Sequence, residues 1–151
     1  HAYSNNAAPG DYGPMVILEH ATDAGDVFYT LYGHLNPDTL EALEEGQPVA
    51  AGQRIGRIGS PGDNGGWSPH LHFQIIIDLL DLGCDFPGVV RAAERRLWSH
   101  FSPDPNLLIG IPPDRLCRRP VTAAYPVGRW SRRTKADGSP TPMELLRCCR
   151  S

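Results

Sequence analysis

The stretch His70–Ile77 reads H-L-H-F-Q-I-I-I, and the fold turns on how it is read. It is rich in apolar, aromatic and β-branched residues with no Gly or Pro inside it, which predicts a strand. Side chains two apart in a strand share a face, so His70 and His72 are expected on one side. Their Cβ atoms would then stand roughly 6.5–7 Å apart, twice the rise per residue. Leu71, Phe73 and Ile75 are left for the opposite, core-facing side. With this geometry one imidazole can bind a metal ion while the other reaches a water or substrate beside it. A bare H-x-H is more often ordinary surface polarity, so the surrounding sequence has to decide.

Working outward, S-P-G-D-N-G-G-W-S-P over residues 60–69 reads as an irregular loop. Before it, G-Q-P-V-A-A-G-Q-R-I-G-R-I-G (residues 46–59) alternates short apolar pairs with glycines, which predicts tight strands and turns. Asn36 can cap a short helix reaching Glu45, with Pro37 in its first turn and Gly46 as terminator. P-M-V-I-L-E-H from Pro14 to His20 and D-V-F-Y-T-L-Y-G-H-L from Asp26 to Leu35 predict an antiparallel hairpin around the turn A-T-D-A-G. Residues 1–13 are polar and rich in Gly, Pro and Asn, hence a loop. Downstream, residues 89–101 have helical spacing, with Val89, Ala93, Leu97 and Phe101 on one face. Residues 102–113 read as a proline-rich docked linker, and beyond them only Met143 to Leu146 hints at structure. The expectation is a mainly β fold, an antiparallel sheet or β-sandwich with short helices, over residues 1–111. Residues 112–151 are expected to form a basic, poorly ordered tail.

Composition supports this division. The chain has 151 residues, room for one domain with a modest core. Its 16 Gly and 15 Pro favour a turn-rich β protein over a helical bundle. No stretch approaches 18 consecutive apolar residues, which excludes a membrane-spanning helix. Residues 1–113 carry 5 basic and 14 acidic side chains, whereas residues 114–151 carry 9 basic and 3 acidic ones. The arginines of the tail follow no helical or aromatic pattern, so nucleic-acid binding is not expected. Cys84, Cys117, Cys148 and Cys149 fit neither a zinc spacing nor a disulfide framework. They read as incidental and indicate no compartment.

Three segments in series, L-Y-G-H-L (residues 31–35), G-Q-P-V-A-A-G-Q-R-I-G-R-I-G and P-H-L-H-F-Q-I (residues 69–75), carry a family resemblance. In that order they resemble the LytM/lysostaphin-type zinc endopeptidases, over about residues 10–80. The resemblance implies the duplicated hybrid motif fold and a peptide bond of bacterial peptidoglycan, or another peptide, as substrate. It implies that His72 is a zinc ligand and that His70 is the general base. It implies that His34 holds the attacking water and stabilises the oxyanion. The chemistry is consistent, because zinc lowers the pKa of its water and a neutral imidazole near pH 7 can accept the proton.

The resemblance also implies two more zinc ligands from an H-x-x-x-D motif many tens of residues before H-x-H. His34 with Asp38 and His100 with Asp104 match by spacing, but neither lies far upstream and each has a proline just before the aspartate. Both read as decoys. His1 and His20 are conceivable substitutes that no spacing demands, and His20 reads as structural. The true motif is expected before residue 1, making this chain a fragment or processed form that lacks the N-terminal part of its fold. One assigned ligand cannot complete a catalytic zinc site, which takes three protein ligands and a water. The chain is therefore expected to be inactive by itself.

D-F-P-G-V-V (residues 85–90) and S-P-D-P-N-L-L-I-G-I-P (residues 102–112) further resemble the peptidase-like middle module of large proteins. There it is flanked by a kinase-like phosphotransferase module and a class III aminotransferase. The competing function is a non-catalytic binding or docking module on the same fold. A lipoyl or biotinyl carrier needs a lysine at a hairpin tip, and the single lysine, Lys135, lies in the tail. A histidine phosphocarrier of sugar uptake shares the fold superfamily, but H-L-H-F after Y-G-H-L favours the peptidase branch.

Overall fold

A computed structural model describes residues 1–116, so the expected tail lies, from residue 117 onward, outside the described residues. Four strands form one antiparallel sheet in sequence order: β1 (Ala2–Asn6), β2 (Gly13–Ala21), β3 (Val27–Gly33) and β4 (His72–Ile76). The β2–β3 hairpin forms where the β-branched and aromatic runs place it, pairing Ile17 with Leu31 and Val16 with Tyr32. Gly25, at φ +89°, closes its turn.

The first residues differ from expectation. A-Y-S-N-N is strand β1 rather than loop, pairing Ala2 with Ile17 and Asn6 with Gly13. An edge strand needs one hydrogen-bonded neighbour and few apolar side chains, so polarity concealed it. The helix expected from Asn36 is a single turn, α1 (Asp38–Glu41), begun by Pro37 without a side-chain cap. Of residues 46–59, only Ile58 makes a strand-like contact, an isolated bridge to Leu35.

The core lies on one face of the sheet. Met15, Ile17, Leu31 and Ile76 are fully buried there with Phe86, Tyr12 and Leu79 packed against them. Each such apolar side chain contributes about 1.5–3 kcal/mol on burial. By the period of two, Ile76 shares its face with Gln74 and His72. This corrects the expected assignment of Leu71, Phe73 and Ile75 to the core-facing side opposite the histidines. Leu71 is 46% exposed, whereas Ile75 is buried on the reverse face. The cause is the return of the chain after β4. Cys84, Phe86, Trp98 and Phe101 fold over the His72 face, and the Phe101 carbonyl accepts a bond from Ile77 N–H.

Helical structure after β4 is shorter than the spacing predicts. It comprises α2 (Arg95–Phe101), preceded by a 3-10 turn at Ala92–Glu94, and α3 (Asn106–Ile109). Of the face expected to be buried, Phe101 does turn inward, but Leu97 is 58% exposed and Trp98 packs on the core in its place. No helix among the described residues is long and apolar enough to cross a membrane.

Candidate active site

His34 leaves the end of β3 in the left-handed region, at φ +62°. Histidine is among the few side chains that adopt this conformation at a tolerable cost. Tertiary hydrogen bonds hold it there: its N–H donates to the Tyr12 carbonyl and its own carbonyl accepts from Gly59 N–H, both at 2.8 Å. The ring is pinned as well, Nδ1–H donating to the Asn64 carbonyl at 3.0 Å. Asn64 is itself fully buried, bonding Gly59 and Trp67 through its side chain. Gly-rich residues 60–69 are thus an ordered wall, whose Trp67 indole donates to the Asp11 carbonyl.

The structure brings the three histidines singled out by the motifs together. The His34 ring lies 4.5 Å from that of His70 and 5.8 Å from that of His72, centroid to centroid. His70 does not stand in the strand, which begins at His72. It is the last exposed residue but one of the incoming loop, and its Nδ1–H donates to the Ser68 carbonyl at 2.6 Å. Convergence therefore comes from a loop residue meeting a strand residue, and the two-residue strand spacing is not its source. Tyr12 and Trp67 complete the surroundings, with rings 5.1 Å from His72 and 5.6 Å from His34 respectively.

Hydrogen bonding assigns each imidazole a free nitrogen. His34 and His70 spend Nδ1–H on backbone carbonyls, leaving Nε2 as the basic atom of the neutral ring. His72 is reversed: its Nε2–H donates to Gln74 Oε1 at 2.8 Å. Burial pushes His34 down to about 4, against the opposing pull of the Asn64 carbonyl, so its ring is neutral near pH 7. Burial also lowers His72, opposed by the bond to Gln74. Tyr12 is held well above the usual phenol range by burial and by Asp11, so it remains a hydrogen-bond donor.

The other spacing matches stay apart from this cluster. Asp38 accepts from the Asn36 amide, His100 donates to the Arg96 carbonyl within α2, and Asp104 caps Asn106 N–H. His20 bonds Thr30 and stacks on Phe28 at 4.8 Å. Among the described residues no group of three His, Cys, Asp or Glu side chains is set to hold a metal ion. The clustered histidines accordingly do not make up a whole metal site by themselves. Sequence reading missed Tyr12, Asn64 and Gln74. Gln74 was within reach of it, because the period of two puts it beside His72.

Residues 3–81 match Peptidase family M23. A 65-residue stretch is 37% identical to the peptidoglycan DD-endopeptidase ShyA of Vibrio cholerae, covering 43% of this chain. The aligned stretch spans only 13% of that protein's length. No solved structure matches the chain. The family match takes in more than half of the chain, nearly all of the sheet and each of the three clustered histidines, and on that ground the chain belongs to Peptidase family M23.

Proposed function

We propose that this chain carries the H-x-H half of a zinc metallopeptidase site that acts on peptide bonds of peptidoglycan. The observation that carries the reading is the convergence of His34, His70 and His72 on one rim, with a basic nitrogen left open on each. The likeness to a peptidoglycan DD-endopeptidase supports the substrate class. His72 would hold the metal through Nδ1, with the remaining ligands supplied from outside the described residues. Bound zinc supplies a water acidified toward neutral pH.

The chain's own residues account for orientation and proton handling. His70 is exposed and fixed through Nδ1–H, so its Nε2 is the atom suited to take up a proton. His34, buried and neutral, offers Nε2 as an acceptor that can orient a water O–H. Stabilising an oxyanion would require that same nitrogen to carry a proton, which burial disfavours. The geometry therefore supports the water-holding role of His34 more strongly than the oxyanion role.

The test compares the chain alone with a protein in which a segment bearing H-x-x-x-D precedes it. Zinc content after equilibrium dialysis and release of peptidoglycan peptides are the two readouts. The chain alone is expected to bind zinc weakly and to hydrolyse nothing, since one ligand cannot hold the ion against water. In the completed protein His72→Ala is expected to abolish tight zinc binding, while His70→Ala retains zinc and removes activity. Stoichiometric zinc with activity in the chain alone would overturn the ligand assignment. A completed protein with neither zinc nor activity would favour a binding module on the peptidase fold.

A further inference from the structure

Gln74 sits at the centre of a network that the peptidase reading leaves unused. Its Oε1 accepts from His72 Nε2–H at 2.8 Å and lies 2.9 Å from the Tyr12 hydroxyl. Its Nε2 donates to the Pro87 carbonyl at 3.3 Å and to Ser102 Oγ at 3.2 Å. Both amide hydrogens are therefore donated and one lone pair of Oε1 is taken by His72, while the single Tyr12 hydroxyl proton serves either the other lone pair or a second acceptor. The Tyr12 hydroxyl also lies 2.9 Å from the Phe86 carbonyl.

One partner decides which way the carboxamide faces. Pro87 presents a carbonyl that can only accept, so the amide NH2 must point to it and Oε1 must point to His72 and Tyr12. An oxygen facing His72 Nε2 requires a proton on that nitrogen. In a neutral imidazole this leaves the lone pair on Nδ1.

We propose that Gln74 is a positioning residue: oriented by Pro87 and Ser102, it locks His72 in the Nε2–H tautomer and thereby makes Nδ1 its metal-binding atom. The proposal rests on the reading of His72 as a ligand and adds to it the device that selects the ligating nitrogen. Metal-binding histidines are commonly fixed in this manner by a carbonyl or carboxylate on the second nitrogen. Here the orienting groups lie at residues 87 and 102, beyond the stretch 3–81 that matches the family. The segment that folds back after β4 therefore reaches the site, through one side chain, as well as covering the core.

The experiment is long-range 1H–15N correlation NMR of the histidine rings in the full chain, metal-free, at a pH where His72 is neutral. Wild type is expected to show His72 as a single tautomer, protonated at Nε2. Gln74→Leu removes the acceptor and is expected to give a mixture of both tautomers. Gln74→Glu keeps an oxygen toward His72 and is expected to restore the wild-type pattern. Nδ1–H at His72 in wild type would overturn the proposal without reference to any variant. So would an unchanged tautomer in Gln74→Leu whose backbone amide spectrum shows the sheet intact. The ligand reading fails separately, if His72→Ala leaves zinc affinity of the completed protein unchanged.

Discussion

His34 concentrates the cost of the site in one residue: left-handed backbone, a buried ring and a pKa pushed down to about 4. In the unfolded chain the same imidazole titrates at about 6.5, so between these values the unfolded state binds more protons. Stability from this group is therefore complete above about pH 6.5 and is lost as pH falls through about 4. Urea denaturation of wild type across pH 4–7 is expected to show a midpoint falling with acidification, and His34→Gln to flatten that slope. An equal slope in both proteins would place the titration elsewhere. Gly33 is the second sensitive residue, opposite His72 in the β3–β4 register. A Cβ there would meet Tyr12 Cδ1 at 2.7 Å and His72 Cβ at 3.3 Å. The Tyr12 ring is buried and bonded at its hydroxyl, so it has little room to yield. Gly33→Ala is expected to cost about 1–3 kcal/mol of unfolding free energy.

At the scale of elements, β4 and the segment after it form one unit. Phe86 is 1% exposed, meets Trp98 edge to face at 5.7 Å and joins the cluster on the His72 face. Phe86→Ala is expected to cost about 3–5 kcal/mol, read as a fall in the denaturation midpoint, through lost burial and the cavity left behind. A loss below about 1 kcal/mol would show that the segment drapes over the sheet without supporting it. The boundaries of these elements explain where pattern reading was accurate. β2 and β3 were legible because β-branched and aromatic runs end at turn formers. The extent of β4 was not, because His70 and Leu71 suit a strand locally but have no partner residues on β3 beyond Gly33. Likewise the helical spacing of residues 89–101 is realised only from Arg95 to Phe101, where Trp98 joins Phe101 in the space beside Phe86 and Leu97 is left outside.

For the whole molecule, the charge asymmetry and the end of apolar periodicity near Ile111 motivate a division into a folded unit and a basic tail. Deleting residues 114–151 is expected to leave the thermal midpoint nearly unchanged, and a large fall would make that region an integral part of the fold. The sequence by itself determined the hairpin, the antiparallel class and the identity of the three histidines, because each rests on local pattern: strand propensity, turn residues and short motifs. It could not determine that A-Y-S-N-N pairs as an edge strand, since that depends on an unpaired row of β2 backbone groups rather than on its own side chains. Nor could it place the core on the His72 face, which depends on where residues 83–101 return. The free nitrogen of each imidazole was likewise beyond it. Those atoms are selected by the carbonyls of Asn64 and Ser68 and by the Gln74 carboxamide, and two of those three contacts are set by how distant segments pack. Local propensity fixes the β2–β3 hairpin; the tertiary structure decides the edge strand, the buried face and which proton sits where.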